Sequence, residues 1–203
     1  MLPPHAPPSF SDRSTLWNSV EQTEKSNNSQ LAREIELALP VELSREEQTR
    51  LVREYCSSQF VSKGMCADFN IHDTGSGNPH AHILLTMRPL DEKGAWAAKS
   101  KKEYVLDESG EKILLPSGRY KTRKIDLMDW NRQENADLWR KAWADMANDF
   151  LEQNGSAERI DHRSNAERGI DEIPTVHMGV AACQMEKKGI ATEKGELNRN
   201  IQK

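Results

Sequence analysis

Three histidines are the residues best suited to chemistry here: His72, His80 and His82. His80 and His82 stand two apart in HAHILLTMR, residues 80–88, where apolar and other residues alternate as in a β-strand. Successive side chains of a strand leave opposite faces, so residues two apart leave the same one and both imidazoles project together. MCADFNIHD, residues 65–73, alternates in the same way and carries His72 near its end. The intervening run DTGSGNP, residues 73–79, is rich in turn formers and folds His72 back beside the pair. Three converging neutral imidazoles suit a divalent metal ion, Mn²⁺, Zn²⁺ or Mg²⁺, with Mg²⁺ the less suited because it prefers oxygen ligands. Three protein ligands leave coordination positions open to a substrate oxygen, as catalytic sites do. An ion held in this way can grip a scissile phosphate, neutralise its non-bridging oxygens and favour in-line attack. The competing reading is a solvated hairpin face with surface histidines, and the cleanly apolar opposite face weighs against it. A cupin-type site would need a Glu a few residues beyond the HxH, where this chain reads ILLTMRP.

Carboxylates stand ready for the same chemistry. QLAREIELALP, residues 30–40, alternates as a third strand, with Leu31, Ile35, Leu37 and Leu39 toward a core and Glu34 and Glu36 together on the other side. If this strand neighbours the hairpin, Glu34 and Glu36 can accept the nucleophile's proton or orient the metal-bound histidines. The alternative is a solvated strand edge. The net charge of -4 argues against a uniformly basic nucleic-acid binder. Cations nevertheless gather locally: Lys99, Lys101 and Lys102 in KSKKEY, then Arg119, Lys121, Arg123 and Lys124 in RYKTRK. They form either a patch for DNA phosphates or a solvated loop face.

The remaining elements must hold these groups in place. A short helix capped by Ser11 or Asp12 should present Trp17 and Val20 on one face. Ser44 and Glu47 have the spacing of a capping box for a helix running to about Lys63, with Leu51, Val52, Tyr55, Cys56 and Phe60 inward and Gly64 as its stop. Residues 89–125 form a charged excursion from the core, with a small hairpin turning at Glu108, Ser109 and Gly110. A long helix over about residues 129–154 places Trp139, Ala142, Trp143, Met146 and Phe150 at helical spacing, a core stripe closed by Gly155. The tail adds a short helical MEKKG.

At 203 residues the chain fits one domain, or one domain with a tail. Hydrophobic residues make up 36% and charged residues 30%, a balance suited to a soluble folded protein because aliphatic and tryptophan clusters remain. No apolar run approaches the ~18–20 residues that span a bilayer. The opening MLPPHAPPSF lacks a secretory pattern. Cys56, Cys66 and Cys183 have no CxxC spacing and suggest neither a disulfide framework nor a thiolate zinc site. A cytoplasmic protein with no membrane insertion is expected.

Three runs in order, LAREIELALPVELSREEQ, ADFNIHDTGSGNPHAHILLTMRP and IDHRSNAERGIDEIPTVHMG, together resemble the MobA/MobL family of plasmid relaxases. The family's HUH motif, two histidines around a hydrophobic residue, matches His80-Ala81-His82, and the resemblance runs from the proline-rich start to about Asn200. It implies an α+β fold, an antiparallel sheet with helices on one face, in which His72, His80 and His82 are metal ligands and Glu34 and Glu36 match the family's acidic strand. It implies metal-dependent nicking of single-stranded plasmid DNA at an origin of transfer through a phosphotyrosine bond, with accessory mobilisation proteins as further partners. His162 and His177 match later family motifs and are read as structural. The resemblance also places the nucleophilic tyrosine upstream of the EIELALP strand, where this chain has none. It therefore implies that the fold lacks its first strand and helix and that Met1 is an internal start or the product of a truncated frame. The expected organisation is a relaxase-like domain over residues 1–155 and a carboxy-terminal extension of it over 156–203. The alternatives are a DNA-binding remnant that keeps the metal site without the nucleophile, and a metal-dependent hydrolase using activated water.

Overall fold

The three alternating stretches are strands, and they form one antiparallel sheet. β1 (Ala32–Ala38), β2 (Ala67–His72) and β3 (His80–Thr86) lie in the order β1-β3-β2. This computed structural model describes residues 1–73, 75 and 77–202. Period-two alternation gives the sheet two unlike faces. Ile35, Phe69, Ile71, Ala81, Ile83 and Leu85 share the apolar one, and the register sets Ile35 opposite Ile83 and Phe69 opposite Ile83 from the other side.

Two helices cover that face. α2 (Arg45–Gln59) starts at Ser44, whose hydroxyl accepts the backbone N–H of Glu47 at 3.2 Å. It ends four residues before the expected Lys63, because Phe60 turns the chain into a separate 3₁₀ turn, Val61–Lys63, closed by Gly64 at φ 92°. α3 (Glu134–Gln153) begins later than the stretch expected from about 129, since residues 129–132 form a turn in which the N–H of Arg132 donates to the carbonyl of Asp129. The aromatic stripe of α3 meets α2 edge to face: Tyr55 lies 5.1 Å from Trp143 and Phe60 5.3 Å from Trp139, ring centre to ring centre. The Tyr55 hydroxyl donates to the carbonyl of Trp139 at 3.0 Å, so its one polar atom is satisfied inside the core. Loss of a ring as deeply buried as Phe60 typically costs about 3–5 kcal/mol.

α1 (Arg13–Thr23) meets the other face. Asp12 is its cap, accepting from the Thr15 N–H at 2.8 Å, while the Ser11 hydroxyl donates to Pro8 instead. Leu16 joins Cys66 and Leu90 in a second small core, and Trp17 packs beside them. The charged excursion contains a two-stranded ribbon, β4 (Ser100–Tyr104) with β5 (Thr122–Asp126). The small hairpin expected around Glu108 is present. The Gly110 N–H donates to the carbonyl of Asp107, the Asp107 N–H to that of Glu111 and the Ile113 N–H to that of Val105, and a second turn follows between Leu114 and Tyr120.

Residues Met1–Ile160 form one compact unit and Asp161–Lys203 a second. The second holds α4 (Gly179–Lys187) and α5 (Glu193–Ile201), where the sequence suggested one short helix. α5 carries Gly195 in its first turn, a weak helix former. A Cβ there would run into the Glu186 carboxylate, which is held by Thr192 and Arg199. Close approach explains the glycine.

Candidate metal centre

The hairpin register brings the three histidines together. His72 pairs directly with His80, and His82 lies one row further on the same face, between Asn70 of β2 and Glu36 of β1. One ring nitrogen of each histidine lies within 4.8 Å of those of the other two, and the ring centres are 4.7–5.5 Å apart. The turn that sets this register takes positive φ at Gly75 (72°) and Gly77 (79°), and the Gly75 N–H donates to Oδ1 of Asp73 at 2.9 Å. The expected turn also includes Thr74 and Ser76, which lie outside the described residues.

Two of the rings are held by their inner nitrogens. Nδ1 of His80 is 2.9 Å from the carbonyl of Asn78, and Nδ1 of His82 is 2.8 Å from Oε1 of Glu34. Each partner is an acceptor, so each Nδ1 carries the hydrogen, and in the neutral ring Nε2 is the nitrogen left with a lone pair. A ligating histidine is commonly anchored in this way, through its other nitrogen to a carbonyl or carboxylate. The donor set and this anchoring fit a divalent ion held by His72, His80 and His82. His72 is exposed and His80 and His82 are half-buried, which leaves the site open on one side. Neither cysteine of this unit competes for it: burial pushes the Cys66 thiol up to about 11 and the Cys56 thiol up to about 12, so neither supplies a thiolate at neutral pH.

The two glutamates read as equivalent in the sequence differ here. Both lie on the histidine face of β1, and β1 does neighbour the hairpin. Glu34 holds His82. Glu36 is exposed and forms no hydrogen bond or ion pair with any described residue.

The cations divide as well. Lys99 lies 2.8 Å from the carboxylate of Glu24, itself 4% exposed, which also takes Arg88 at 2.7 Å. Lys101 and Arg123 flank Glu103, and Lys124 pairs with Asp126. Lys102, Arg119 and Lys121 form no ion pair with described residues. The ribbon is rooted where Lys99 donates to the carbonyl of Gln30, just before β1, whereas the histidines lie level with the far end of that strand. At about 3.3 Å per residue, the sheet alone separates root and centre by roughly 20 Å.

Three residues with functional potential had no legible signal. Nζ of Lys112 sits 4.1 Å from the ring centre of Tyr104 and 5.6 Å from that of Tyr120, both half-exposed. Their meeting depends on ribbon pairing, which local sequence does not fix. His162 and His177 belong to the second unit, where the His177 carbonyl accepts from Lys194.

Comparison with known proteins follows the same outline. The chain is 35% identical over 219 residues to the probable mobilization protein MobA of Bifidobacterium longum, covering all of this chain and 38% of that protein. It is 39% identical over 174 residues to the conjugal transfer protein TraA of Agrobacterium fabrum, covering 85% of this chain and 15% of that one. With mobilization protein A of Escherichia coli it shares 34% identity over 96% of this chain and 26% of the relative. The chain thus spans well under half the length of these relatives. A solved structure described as the molecular basis of vancomycin resistance transfer in Staphylococcus aureus matches with a TM-score of 0.66 and 35% identity, covering 81% of this chain and 73% of that one. The MobA/MobL family model matches residues 1–188, and with the histidine-bearing sheet this shows that the chain belongs to the MobA/MobL family.

Proposed function

We propose that residues 1–160 form the metal centre of a plasmid-mobilisation relaxase that nicks one strand of DNA at an origin of transfer. One observation carries the reading: three histidines converge on one sheet face, and a carboxylate on the neighbouring strand aims one of them. A bound divalent ion, Mn²⁺ or Zn²⁺ by donor type, would supply positive charge to the non-bridging oxygens of the scissile phosphate.

The chain's own groups do the rest. His72, His80 and His82 hold the ion, with the His80 and His82 rings fixed by Asn78 and Glu34 so that little reorganises when phosphate arrives. Glu36, unpaired on the same face, is placed to take the proton of an attacking hydroxyl. As that oxygen bonds to phosphorus, the bond to the departing sugar oxygen breaks and that oxygen takes up a proton. Lys102, Arg119 and Lys121 on the ribbon contact backbone phosphates away from the cut. The family's transfer role and the absence of any helix long and apolar enough to cross a membrane among the described residues fit a cytoplasmic protein working on plasmid DNA with accessory mobilisation proteins.

Calorimetric titration with Mn²⁺ tests the centre. Wild type should bind about one ion, and His80→Ala or His82→Ala should bind at least tenfold more weakly. Equal affinities would remove the centre from the mechanism.

A further inference from the structure

The polar face of the sheet continues past the histidines, and one cation reaches it. Arg13, at the start of α1, donates from Nε to Oδ2 of Asp68 at 2.8 Å, and its Nη1 lies 3.4 Å from Oδ1 of Asn70. Asn70 is the register partner of His82, and Asp68 is in the next row on the same face. Directly paired side chains across an antiparallel ladder stand about 5 Å apart at Cβ, so the Arg13 guanidinium sits one side chain away from the metal ligand His82.

We propose that Arg13 is a phosphate-contacting residue for a nucleic-acid strand seated at the three-histidine centre. The proposal rests on the relaxase reading above. Three features separate it from a simple tie between α1 and β2. First, the ion pair is one-pronged. Arginine and carboxylate paired for stability commonly meet fork to fork through two parallel bonds, whereas here only Nε engages Asp68 and Nη2 makes no hydrogen bond to a described residue. Second, Asp68 is itself pinned: the indole N–H of Trp17 donates to the same Oδ2 at 3.0 Å. The carboxylate is 13% exposed while the Arg13 side chain is 56% exposed, so the acid is fixed and the guanidinium edge is presented outward. Third, the face needs positive charge. It carries Glu34, Glu36 and Asp68, and among the described residues Arg13 is the only cation hydrogen-bonded to a side chain on it. A strand of DNA laid across the centre meets the ion on one row and a planar two-pronged donor on the next, a geometry that guanidinium offers and ammonium does not.

The test uses the full chain and fluorescein-labelled (dT)15, read by anisotropy with Mn²⁺ across a salt series, beside calorimetric Mn²⁺ binding. Arg13→Ala should bind Mn²⁺ as wild type does, weaken (dT)15 binding about tenfold and reduce the salt slope by about 0.7, one phosphate contact on a single strand. Arg13→Lys should keep the wild-type melting temperature and most of the slope yet bind more weakly, because it lacks the fork. If Arg13→Ala lowers the melting temperature, Arg13→Lys decides alone, and wild-type affinity in it overturns the proposal. Wild-type affinity and slope in Arg13→Ala, beside weakened binding in His82→Ala, would overturn the proposal and leave the metal centre standing. The converse pattern, Arg13→Ala weakened and His82→Ala unchanged, would uphold the Arg13 contact and remove the metal centre.

Discussion

Nδ1 of His82 donates to Oε1 of Glu34 at 2.8 Å along a diagonal of the sheet, although the residue directly opposite His82 is Glu36. Glu34 is level with Leu84, one row below, and the diagonal gap of about 7–8 Å is one that a long side chain can span. The nearer glutamate is left free. On the proposed reading the two carboxylates have separate tasks, Glu34 positioning a ligand and Glu36 facing the open site.

Glu34→Gln should lower Mn²⁺ affinity by about 10–100-fold, the usual cost of removing the carboxylate behind a ligating histidine. Glu36→Gln should leave that affinity close to wild type while slowing any strand cleavage. Calorimetry on both variants checks this, and equal losses of affinity would show that the diagonal hydrogen bond carries no special weight.

Glu24 joins α1, the end of β3 and the ribbon root, accepting Arg88 at 2.7 Å and Lys99 at 2.8 Å. Burial acts to raise its pKa, but the hydrogen bonds from Arg88 and Lys99 outweigh burial and hold it below the ordinary 4.5. A depressed folded value means stability fully present above the unfolded value and lost as pH falls through the folded one. Glu24→Gln should cost about 1–3 kcal/mol at pH 7, since two partly exposed cations lose their counter-charge. Urea midpoints of wild type and variant should converge only as pH falls well below the ordinary carboxylate value of 4.5, where the native carboxylate is protonated. A gap that persists in acid would mean that packing, not charge, does the work.

Charge removal should separate the ribbon's free cations from its paired ones. Replacing Lys102, Arg119 and Lys121 with Ala should weaken single-stranded DNA binding and reduce its salt slope by about 0.7 for each phosphate no longer neutralised. Lys99→Ala should instead lower the melting temperature, because its partner is the buried Glu24. Anisotropy and thermal melting read the two effects apart, and a Lys99→Ala variant with normal melting and abolished binding would reverse the assignment.

None of the three tyrosines of this chain lies on the histidine face of the sheet. Tyr55 is buried between α2 and α3, and burial, with Cys56 beside it, raises its pKa well above the ordinary 10. Tyr104 and Tyr120 stand on the ribbon around Lys112. Placement supplies much of a covalent step, with effective molarities of about 10⁵ M or more for oriented groups. The polypeptide of residues 1–203 should therefore form no covalent adduct with single-stranded DNA carrying an origin of transfer. On a denaturing gel with Mn²⁺ and labelled oligonucleotide, a protease-sensitive shifted band that disappears in Tyr104→Phe or Tyr120→Phe would contradict this.

The sequence by itself determined everything that depends on a local period. Alternation in residues 65–73 and 80–88 puts His72, His80 and His82 on one face, and the turn formers between them leave little choice of register. Ser44 starts α2 and Asp12 starts α1 because a capping bond joins neighbours in the chain. Tertiary structure decided what depends on partners distant in the chain. Nothing local says that β1 flanks β3 rather than β2, and that order alone brings Glu34 to His82 across 48 positions of sequence. The same holds for Lys99, which reads as one more exposed cation until Glu24 is found against it, and for Arg13, which enters the site only because α1 lies over β2. Periodicity fixes which way a side chain points. What it meets is set by burial of the apolar face, which chooses the strand order, and by the few side chains long enough to reach across it.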